Sequence, residues 1–332
     1  MPLPARMGQE RRPRRCVVHR TLQRGKTHGS GCVWLPKREL RMAALRFPLN
    51  RSMESLPALD FSVDAKLCNR CGRCVGDCPA KILALPSEGP VQLTAEKSDR
   101  CYRCQHCLAI CPHAAISILG RNPQASLLLA GNLPSPHSME VLLRGRRSNR
   151  SYQRKNVPSE QIREMLQIAS AAPTGRNSRG VRWTVIDDHS KLDVFRDRLL
   201  DGIEKASATG SLPPGRESFA DFPRAWKEDQ IDILFRGAPH FVVTSAPQNA
   251  ATPQVDGIIA LSYFELLANT RGLATVWDGL AYWTLAELVP EATEWLGIPD
   301  DHVVGYCLAF GLPKIPFQRT VQHAPPEIHW IK

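Results

Sequence analysis

Two cysteine runs of one pattern organise the N-terminal half of this chain. They read Cys68-Asn-Arg-Cys71-Gly-Arg-Cys74-Val-Gly-Asp-Cys78-Pro79 and Cys101-Tyr-Arg-Cys104-Gln-His-Cys107-Leu-Ala-Ile-Cys111-Pro112. Each is a C-x2-C-x2-C-x3-C-P run. Together they hold eight of the eleven cysteines, and the others are Cys16, Cys32 and Cys307. Clustered C-x-x-C spacing in a chain with no export signal favours metal ligation over disulfides.

The spacing within each run predicts iron–sulfur ligation. Three thiolates in one tight loop bind three irons of a cubane cluster, so the fourth ligand must come from elsewhere. The alternative is a pair of structural zinc sites, which usually take four ligands from two separated C-x-x-C pairs. Zinc explains neither the third cysteine, nor the Cys-Pro ending, nor the repetition of the run.

The segments around the runs repeat as well. Phe61–Cys68 is echoed by Val91–Cys101, and each run is followed by a short apolar segment, 80–85 and 114–119. Alternating apolar residues favour a strand before each run. The sequence therefore predicts two copies of strand, cluster loop, short helix and strand over residues 57–120.

This segment closely resembles bacterial-type ferredoxins with two [4Fe–4S] clusters, with all eight ligands present. The resemblance implies that the fourth cysteine of each run serves the other cluster. One cluster would take Cys68, Cys71, Cys74 and Cys111, and the other would take Cys101, Cys104, Cys107 and Cys78. Such clusters move single electrons and offer no coordination site to a substrate, so we expect the chemistry in the rest of the chain.

The net charge of +11 belongs to a short leader. Residues 1–52 hold 13 Lys and Arg against 2 Asp and Glu, whereas the remaining residues hold thirty of each. A neutral body disfavours a nucleic-acid partner. We predict a disordered leader or an over-extended reading frame, since Met42 and Met53 precede the first organised segment. The alternative is an Arg-rich targeting peptide.

No apolar stretch reaches the ~18–20 residues of a membrane helix. The early arginines are followed by no apolar region of the kind that a secretory signal needs. The sequence therefore predicts a cytoplasmic protein with no membrane partner.

Residues 121–138 have the composition of a linker, and an α+β pattern follows over 139–332. We predict helices at 140–144, 160–171 and 257–270, and strands at 181–187, 240–245 and 303–310. This part of the chain has no dinucleotide-binding glycine motif, no zinc-protease motif and no nucleophile-elbow motif.

Four polar segments stand out in this second body. The first contains Arg146, Arg147, Ser148 and Arg150, and guanidinium forks with a hydroxyl suit a phosphate; the alternative is a solvated basic turn. The second is a small-residue loop before a strand. The third follows the apolar helix, and the fourth follows the last strand. The residues singled out in the last three are Pro173, Thr174, Gly175, Asn177, Asp278, Gly279, Lys314 and Arg319.

In this order, the four segments resemble the FMN-dependent nitroreductase family over residues 139–332. The resemblance implies that Arg146, Arg147, Ser148 and Arg150 hold the FMN phosphate and ribityl chain. Pro173, Thr174, Gly175 and Asn177 would line the isoalloxazine ring. Asp278 and Gly279 would lie near its reactive N5 edge, and Arg319 with Lys314 would close on the phosphate.

The resemblance also implies an architecture. The family fold is an antiparallel sheet flanked by helices, in an obligate homodimer with FMN at the subunit interface. Residues 322–332 would form an arm that crosses to the partner. The apolar helix 257–270 fits either an interface or a plain core.

Two features depart from the family or vary within it. Arg179 stands where the family commonly has Gln, and two residues are added before Trp183. A positive charge near the ring would stabilise a reduced, anionic flavin. Residues 205–236 would cover the substrate, and Phe219, Phe222, Trp226 and Phe235 either face a planar substrate or pack a pair of surface helices.

The sequence therefore predicts a small two-cluster ferredoxin-like domain followed by a nitroreductase-like α+β domain. Two [4Fe–4S] clusters would relay electrons to FMN, which would reduce a small organic acceptor such as a nitroaromatic. The donor would be reduced ferredoxin or NAD(P)H. The alternatives are the reverse electron flow and a non-catalytic electron-transfer adapter. No side chain stands out as a general acid, and we interpret His106, His113 and His240 as structural.

Overall fold

The repeated cysteine runs fold as two halves that exchange strands. The computed structural model describes residues 59–332. Strand β1 (Phe61–Val63) pairs antiparallel with β4 (Ile116–Ile118), and β2 (Leu83–Ala84) pairs with β3 (Gln92–Leu93). The leading strand of each copy thus pairs with the trailing strand of the other, which interlocks the halves. The predicted leader, Met42 and Met53 lie outside the described residues.

A short helix lies inside each cysteine run rather than after it. Helix α1 (Arg73–Asp77) contains the third cysteine of the first run, and α2 (His106–Ala109) contains that of the second. Both helices follow a residue in the left-handed region, Gly72 and Gln105. This sharp turn between the second and third cysteines directs the thiols of each run toward one side.

The second body contains four strands and seven α-helices within the described range. In chain order, its elements are α3 (Pro136–Gly145), α4 (Ser159–Ala169), β5 (Arg182–Ile186), α5 (His189–Ala208), α6 (Phe222–Asp229), β6 (His240–Pro247), α7 (Pro253–Thr270), β7 (Ala274–Trp277), α8 (Gly279–Trp283), α9 (Ala292–Trp295) and β8 (His302–Gly311). A π-helical turn follows α8 at Thr284–Leu288. Short 3-10 turns lie at Ala95–Arg100, Pro123–Ala125, Gly175–Asn177 and Glu217–Asp221.

The large sheet is antiparallel, with the strand order β5-β6-β8-β7. Its two central strands are nearly continuous apolar runs, because helices cover both faces. Phe241 and Val243 pack on one side with α5, whereas Val242 and Phe310 pack on the other side with α4 and α7. The period-two alternation of side chains along a strand explains this division.

Helix α7 lies against β6, β8 and α4. Leu261 and Phe264 are fully buried there, and each such side chain contributes about 1.5–3 kcal/mol of transfer free energy. Val255, Ile258 and Tyr263 are exposed. One face of the predicted apolar helix is therefore core, and the other is free in a single protomer.

The aromatic residues of 205–236 pack mostly inside the protein. Phe219, Phe222 and Phe235 are buried in the hydrophobic core beside α5. Trp226 lies under the guanidinium of Arg196, which is 3.7 Å from its ring centroid. Of the two interpretations of these aromatics, helix packing is the one that the structure supports.

The predicted fold class is confirmed: an antiparallel sheet flanked by helices follows a small two-sheet domain. Helix α3 begins at Pro136, inside the predicted linker, because Ser135 accepts a hydrogen bond from the Ser138 amide and Pro occupies the first turn. The division of the chain at 57–120, 121–138 and 139–332 stays a prediction. Between residues 59 and 332, the structure has no helix long and apolar enough to cross a bilayer.

Candidate functional site

Four cysteines surround one cavity in the N-terminal domain. Cys68, Cys71 and Cys74 of the first run line it together with Cys111, the last cysteine of the second run. The cavity encloses about 310 Å³, including space open to solvent. Three ligands thus come from one run and the fourth comes from the other run.

The other four cysteines surround a second cavity of similar size. Cys101, Cys104 and Cys107 line it with Cys78 of the first run, and it spans about 360 Å³, including space open to solvent. The strand exchange explains the crossing, since each run ends against the opposite half of the domain. The two matching sets of four thiols fit two copies of one four-thiolate cofactor.

The eight cysteines are free thiols, and burial disfavours the ionised form of three of them. None of these eight cysteines forms a disulfide. Burial raises the pKa of Cys107 to about 11, and burial with neighbouring thiolates also raises the pKa values of Cys74 and Cys101. Bound iron offsets this cost because metal ligation favours the thiolate. Within residues 59–332, no three His, Cys, Asp or Glu side chains are grouped to hold a single metal ion.

The arginine segment lies between the ends of two strands. Ser148 forms a bridge with Thr275 of β7, and Tyr152 forms one with Pro313 just after β8. Asn149 is buried, and its side chain accepts a hydrogen bond from the Ser151 amide at 2.8 Å. The backbone that carries the predicted phosphate residues is therefore held on both sides.

Glu265 of α7 orients the first of these arginines. Its carboxylate accepts hydrogen bonds from Arg146 at 3.1 Å, from the Thr275 hydroxyl at 3.0 Å and from the Trp277 indole at 2.9 Å. Glu265 is only 5% exposed. A buried carboxylate with three donors binds Arg146 firmly to the helix and to β7.

The other basic residues of the segment lack acidic partners. In the part of the chain that the structure describes, no Asp or Glu forms an ion pair with Arg147, Arg150, Lys314 or Arg319. Arg147 contacts His323 at 3.3 Å. The Lys314 amide donates to the Ser151 carbonyl at 3.0 Å, which places Lys314 beside the segment. Unneutralised guanidinium groups around a fixed backbone fit an anionic phosphate.

Arg319 is separate from this group. It is exposed, and no hydrogen bond among residues 59–332 ties it to the arginine segment. The structure thus brings Arg146, Arg147, Ser148, Arg150 and Lys314 together, and leaves Arg319 on the C-terminal extension.

The small-residue loop has an unusual backbone. Arg176, Asn177 and Arg179 all have positive φ, at 56°, 54° and 53°. This conformation is unfavourable for side chains other than Gly, and Asn tolerates it best. Gly175 is required for another reason, because a Cβ there would collide with the side chain of Thr252. Pro173 is exposed, and Thr174 accepts the Arg179 amide at 3.0 Å.

Asp256 holds this loop against α7. Its Oδ1 accepts the Gly175 amide at 2.9 Å and the Thr252 hydroxyl at 2.7 Å, and the side chain is buried. Asp256 and Glu265 lie nine residues apart on α7, about 13 Å along the axis. Within one protomer, the small-residue loop and the arginine segment are therefore attached to α7 at two separate points along its axis.

Arg179 folds back onto the end of α4. Its guanidinium donates to the carbonyl of Ala172 at 3.1 Å and to the carbonyl of Ser170. A cation at a helix C-terminus satisfies free carbonyls and complements the helix dipole. The predicted effect of Arg179 on a flavin stays a prediction.

Asp278 and Gly279 lie at the start of α8. Asp278 is 4% exposed, and its Oδ1 accepts the Ala281 amide at 2.9 Å as the helix cap. Its Oδ2 is buried without a partner among the described residues. Burial raises the pKa of Asp278 to about 7. A Cβ on Gly279 would lie 3.1 Å from the Tyr306 hydroxyl, so this turn is closely packed.

Comparison with known proteins assigns the second body. Residues 143–312, more than half of the chain, match the model of the nitroreductase family. The chain belongs to the nitroreductase family. Residues 67–116 match the 4Fe-4S dicluster domain. The nitroreductase domain thus follows an iron–sulfur domain in one oxidoreductase chain, as the sequence predicts.

Two curated relatives and one solved structure illustrate the similarity. A 4-nitrobenzoate reductase of Nocardioides sp. is 24% identical over 206 residues, which cover 54% of this chain and 82% of the relative. Nitroreductase NfnB of Mycolicibacterium smegmatis is 29% identical over 137 residues, 33% of this chain and 56% of the relative. An FMN-bound nitroreductase from Bacteroides fragilis is 22% identical with a TM-score of 0.46, over 58% of this chain and 99% of that chain.

The iron–sulfur domain contacts the nitroreductase domain at the small-residue loop. The Asn177 side-chain amide donates a hydrogen bond to the backbone carbonyl of Tyr102 at 2.9 Å. Tyr102 lies between Cys101 and Cys104 and lines the second cysteine cavity. The sequence predicts both segments but does not predict that they meet.

Sequence reasoning missed Asp256 and Glu265. Glu265 lies inside the predicted apolar helix 257–270, and Asp256 lies directly before it. An acidic residue inside an otherwise apolar helix is a usable signal, because a buried carboxylate needs donors. The sequence alone does not tell which donors these are.

Proposed function

We propose that this nitroreductase-family chain is an FMN-dependent oxidoreductase in which two [4Fe–4S] clusters relay electrons to FMN. The reduced FMN passes them to a small organic acceptor of the nitroaromatic type. The observation that carries the proposal is the set of basic residues without acidic partners on a backbone fixed by β7 and β8. It lies in the same compact unit, Ala58–Lys332, as the two four-cysteine cavities.

In this proposal, Arg147, Ser148 and Arg150 bind the FMN phosphate, Arg146 supports the ribityl side, and Lys314 and Arg319 close on the anion. Bound FMN supplies hydride and single-electron chemistry. Pro173, Thr174, Gly175 and Asn177 line the ring, while Asp278 and Gly279 support its N5 edge. The protein's contribution is position and potential.

The clusters take the cysteines of the two cavities. One is held by Cys68, Cys71, Cys74 and Cys111, and the other by Cys101, Cys104, Cys107 and Cys78. The raised pKa values of Cys74 in the first cavity and of Cys101 and Cys107 in the second support a cationic iron core at each position, since a metal ion favours the thiolate.

The partners follow from this chemistry. Reduced ferredoxin or NAD(P)H is the proposed donor, and we propose a cytoplasmic homodimer. The exposed Val255, Ile258 and Tyr263 of α7 support an interface on that helix. The apolar residues Ile328, Trp330 and Ile331 of the exposed C-terminus support an arm that a second protomer covers.

The test is anaerobic purification with assays of iron and of released FMN. We expect about eight irons per chain and one FMN, with both centres reduced by a low-potential reductant. Eight irons without FMN, even after reconstitution, would reject the flavoenzyme in favour of an electron-transfer adapter.

A matched pair of variants tests the phosphate residues. Arg147→Ala removes a guanidinium without an acidic partner, whereas Arg144→Ala removes an exposed arginine that pairs with Glu140 at 2.8 Å. We expect Arg147→Ala to weaken FMN binding by roughly 10- to 100-fold, the range for a charge-assisted hydrogen bond. Arg144→Ala should leave FMN binding unchanged. Equal effects of the two substitutions on FMN binding would contradict the assignment of Arg147 to the FMN phosphate.

A further inference from the structure

The two cysteine runs carry different residues directly after their first cysteine. Asn69 follows the first cysteine of the first run, and Tyr102 follows the first cysteine of the second. Asn69 is engaged inside its own domain, because its amide contacts His113 at 2.9 Å and its Oδ1 accepts the Cys71 amide at 3.2 Å. The Tyr102 carbonyl instead accepts the Asn177 amide of the nitroreductase domain. Of these two equivalent residues, Tyr102 therefore forms the hydrogen bond to the nitroreductase domain, and Asn69 does not.

The Tyr102–Asn177 hydrogen bond joins the second cysteine cavity to the small-residue loop through few atoms. Tyr102 is bonded directly to Cys101, a cysteine of the second cavity, and lines that cavity. Asn177 belongs to the loop whose backbone is fixed by Asp256 through Gly175. Its left-handed backbone is a costly conformation that persists only where the surroundings enforce it. The first cavity shares no such hydrogen bond with residues 139–332.

We infer that the two clusters act in a fixed order. The cluster held by Cys78, Cys101, Cys104 and Cys107 exchanges electrons with FMN across the Tyr102–Asn177 hydrogen bond, and the cluster held by Cys68, Cys71, Cys74 and Cys111 exchanges them with the external donor. Asn177 is a positioning residue for this transfer. The inference rests on the proposed function, since it requires that both clusters and FMN are bound.

The electron balance requires two passages through the second cluster. An external one-electron reductant reduces the first cluster, which reduces the second and returns to its oxidised state. The second cluster then gives one electron toward FMN and is itself reoxidised. Two such electrons, with two protons from water, complete the reduction of one FMN. No further reactant is needed.

The experiment follows electron transfer within the holoprotein after a light flash. The flash generates viologen radical in a smaller amount than the protein. In the wild type, we expect fast cluster reduction, followed by a first-order phase of FMN reduction whose rate is independent of protein concentration. Cys71→Ser and Cys104→Ser change the same position of the two runs. Cys104→Ser should abolish the first-order phase. Cys71→Ser should slow the preceding cluster reduction, because electrons then enter only by direct reaction of the radical with the second cluster, and it should retain the later first-order transfer from that cluster to FMN. Loss in Cys71→Ser with retention in Cys104→Ser, or equal effects, would overturn the order.

Two milder variants decide the question if a cysteine variant does not fold. Asn177→Ala removes the donor to Tyr102, and Asn69→Ala changes the equivalent position of the first run. We expect Asn177→Ala to slow the first-order phase roughly tenfold, the equilibrium factor of one ordinary hydrogen bond, and Asn69→Ala to leave it unchanged. Equal rates in all three proteins would overturn the inference.

EPR spectra and the FMN potential distinguish the role of Asn177 in the Tyr102–Asn177 hydrogen bond from its other roles. The EPR spectrum of the second cluster should change in Asn177→Ala, because hydrogen bonding near the ligands tunes a cluster, and that of the first cluster should not. If the FMN reduction rate of Asn177→Ala changes only as a shifted FMN potential requires, and both EPR spectra are unchanged, electron transfer across the Tyr102–Asn177 hydrogen bond is overturned. Absence of FMN from the reconstituted wild type would instead reject the proposed function.

Discussion

The carboxylate of Glu265 lies 3.1 Å from the guanidinium of Arg146, and the two residues join α7 to the arginine segment. The same carboxylate binds Thr275 and Trp277 of β7. One buried side chain thus fixes a helix, a strand and a loop at the candidate phosphate site. The geometry of that site depends on the interior of the protein and not only on the exposed arginines.

Glu265→Gln should destabilise the protein, because an amide cannot accept from three donors. Breaking a buried ion pair costs about 3–5 kcal/mol, and the partial exposure of Arg146 reduces this to roughly 2 kcal/mol. The free energy of unfolding of the holoprotein, from chemical denaturation, checks the prediction.

The matched control is Glu164→Gln. Glu164 pairs with Arg271 at 2.7 Å, but its side chain is 53% exposed. Solvent screens an exposed pair, so it contributes little to the free energy of unfolding. If Glu164→Gln cost as much as Glu265→Gln, burial would not be the reason for the effect.

Asp256→Ala should loosen the small-residue loop. It leaves the Gly175 amide and the Thr252 hydroxyl without their acceptor, at about 0.5–1.5 kcal/mol for each lost hydrogen bond. Hydrogen exchange of the amides in 174–179 should accelerate correspondingly, and the Asn177–Tyr102 contact should weaken with it.

Asp188→Ala is the control for this loop. Asp188 also accepts two backbone amides, those of Ser190 and Lys191, as the exposed cap of α5. Its loss should destabilise the start of α5 and should accelerate hydrogen exchange there but not in 174–179. Faster exchange in 174–179 in both variants would indicate a global effect and contradict the local role of Asp256.

Removing the fourth cysteine of a run should remove the cluster of the other run. Cys111→Ser takes a ligand from the cavity of Cys68, Cys71 and Cys74, and Cys78→Ser takes one from the cavity of Cys101, Cys104 and Cys107. Each variant should keep about four irons. EPR of Cys111→Ser should match that of Cys71→Ser, and EPR of Cys78→Ser should match that of Cys104→Ser. The opposite matching would show that each run binds its own cluster.

The cysteine runs were readable from sequence because their chemistry is local. Spacing brings three thiols together, and the fixed ending supplies the fourth to the other half. Strands β6 and β8 were also predictable, since they are long apolar runs of the right length for buried strands, whereas their antiparallel pairing was implied only by the family resemblance.

The polar contacts that hold the candidate site were not predictable, because the two residues of each contact are distant in sequence. Arg146 and Glu265 are 119 residues apart, and Asn177 and Tyr102 are 75 apart. Periodicity shows which face of a helix is apolar but not which donor meets a buried carboxylate. Arg179 illustrates the same limit, since its guanidinium turns to the carbonyls of Ser170 and Ala172 at the end of α4.

Asp278 predicts a pH dependence of stability. Burial raises its pKa from 3.8 to about 7 in the folded protein, so the folded state holds a proton that the unfolded state releases above about pH 4. The stabilisation is complete below the unfolded pKa, falls as pH rises from about 4 to 7, and is lost above 7. A shift from 3.8 to about 7 corresponds to roughly 4 kcal/mol.

Asp278→Asn should remove this dependence. The amide keeps an oxygen for the Ala281 amide at the start of α8 and replaces the unpartnered Oδ2 by a neutral group. The difference in unfolding free energy between variant and wild type should therefore grow in favour of the variant from pH 4 to pH 7, and it should be constant above that. Other groups titrate in both proteins and cancel in this difference. A difference that is flat from pH 4 to 8 would mean that Asp278 stays ionised in the fold, with a donor at Oδ2 that the ligand-free chain does not supply.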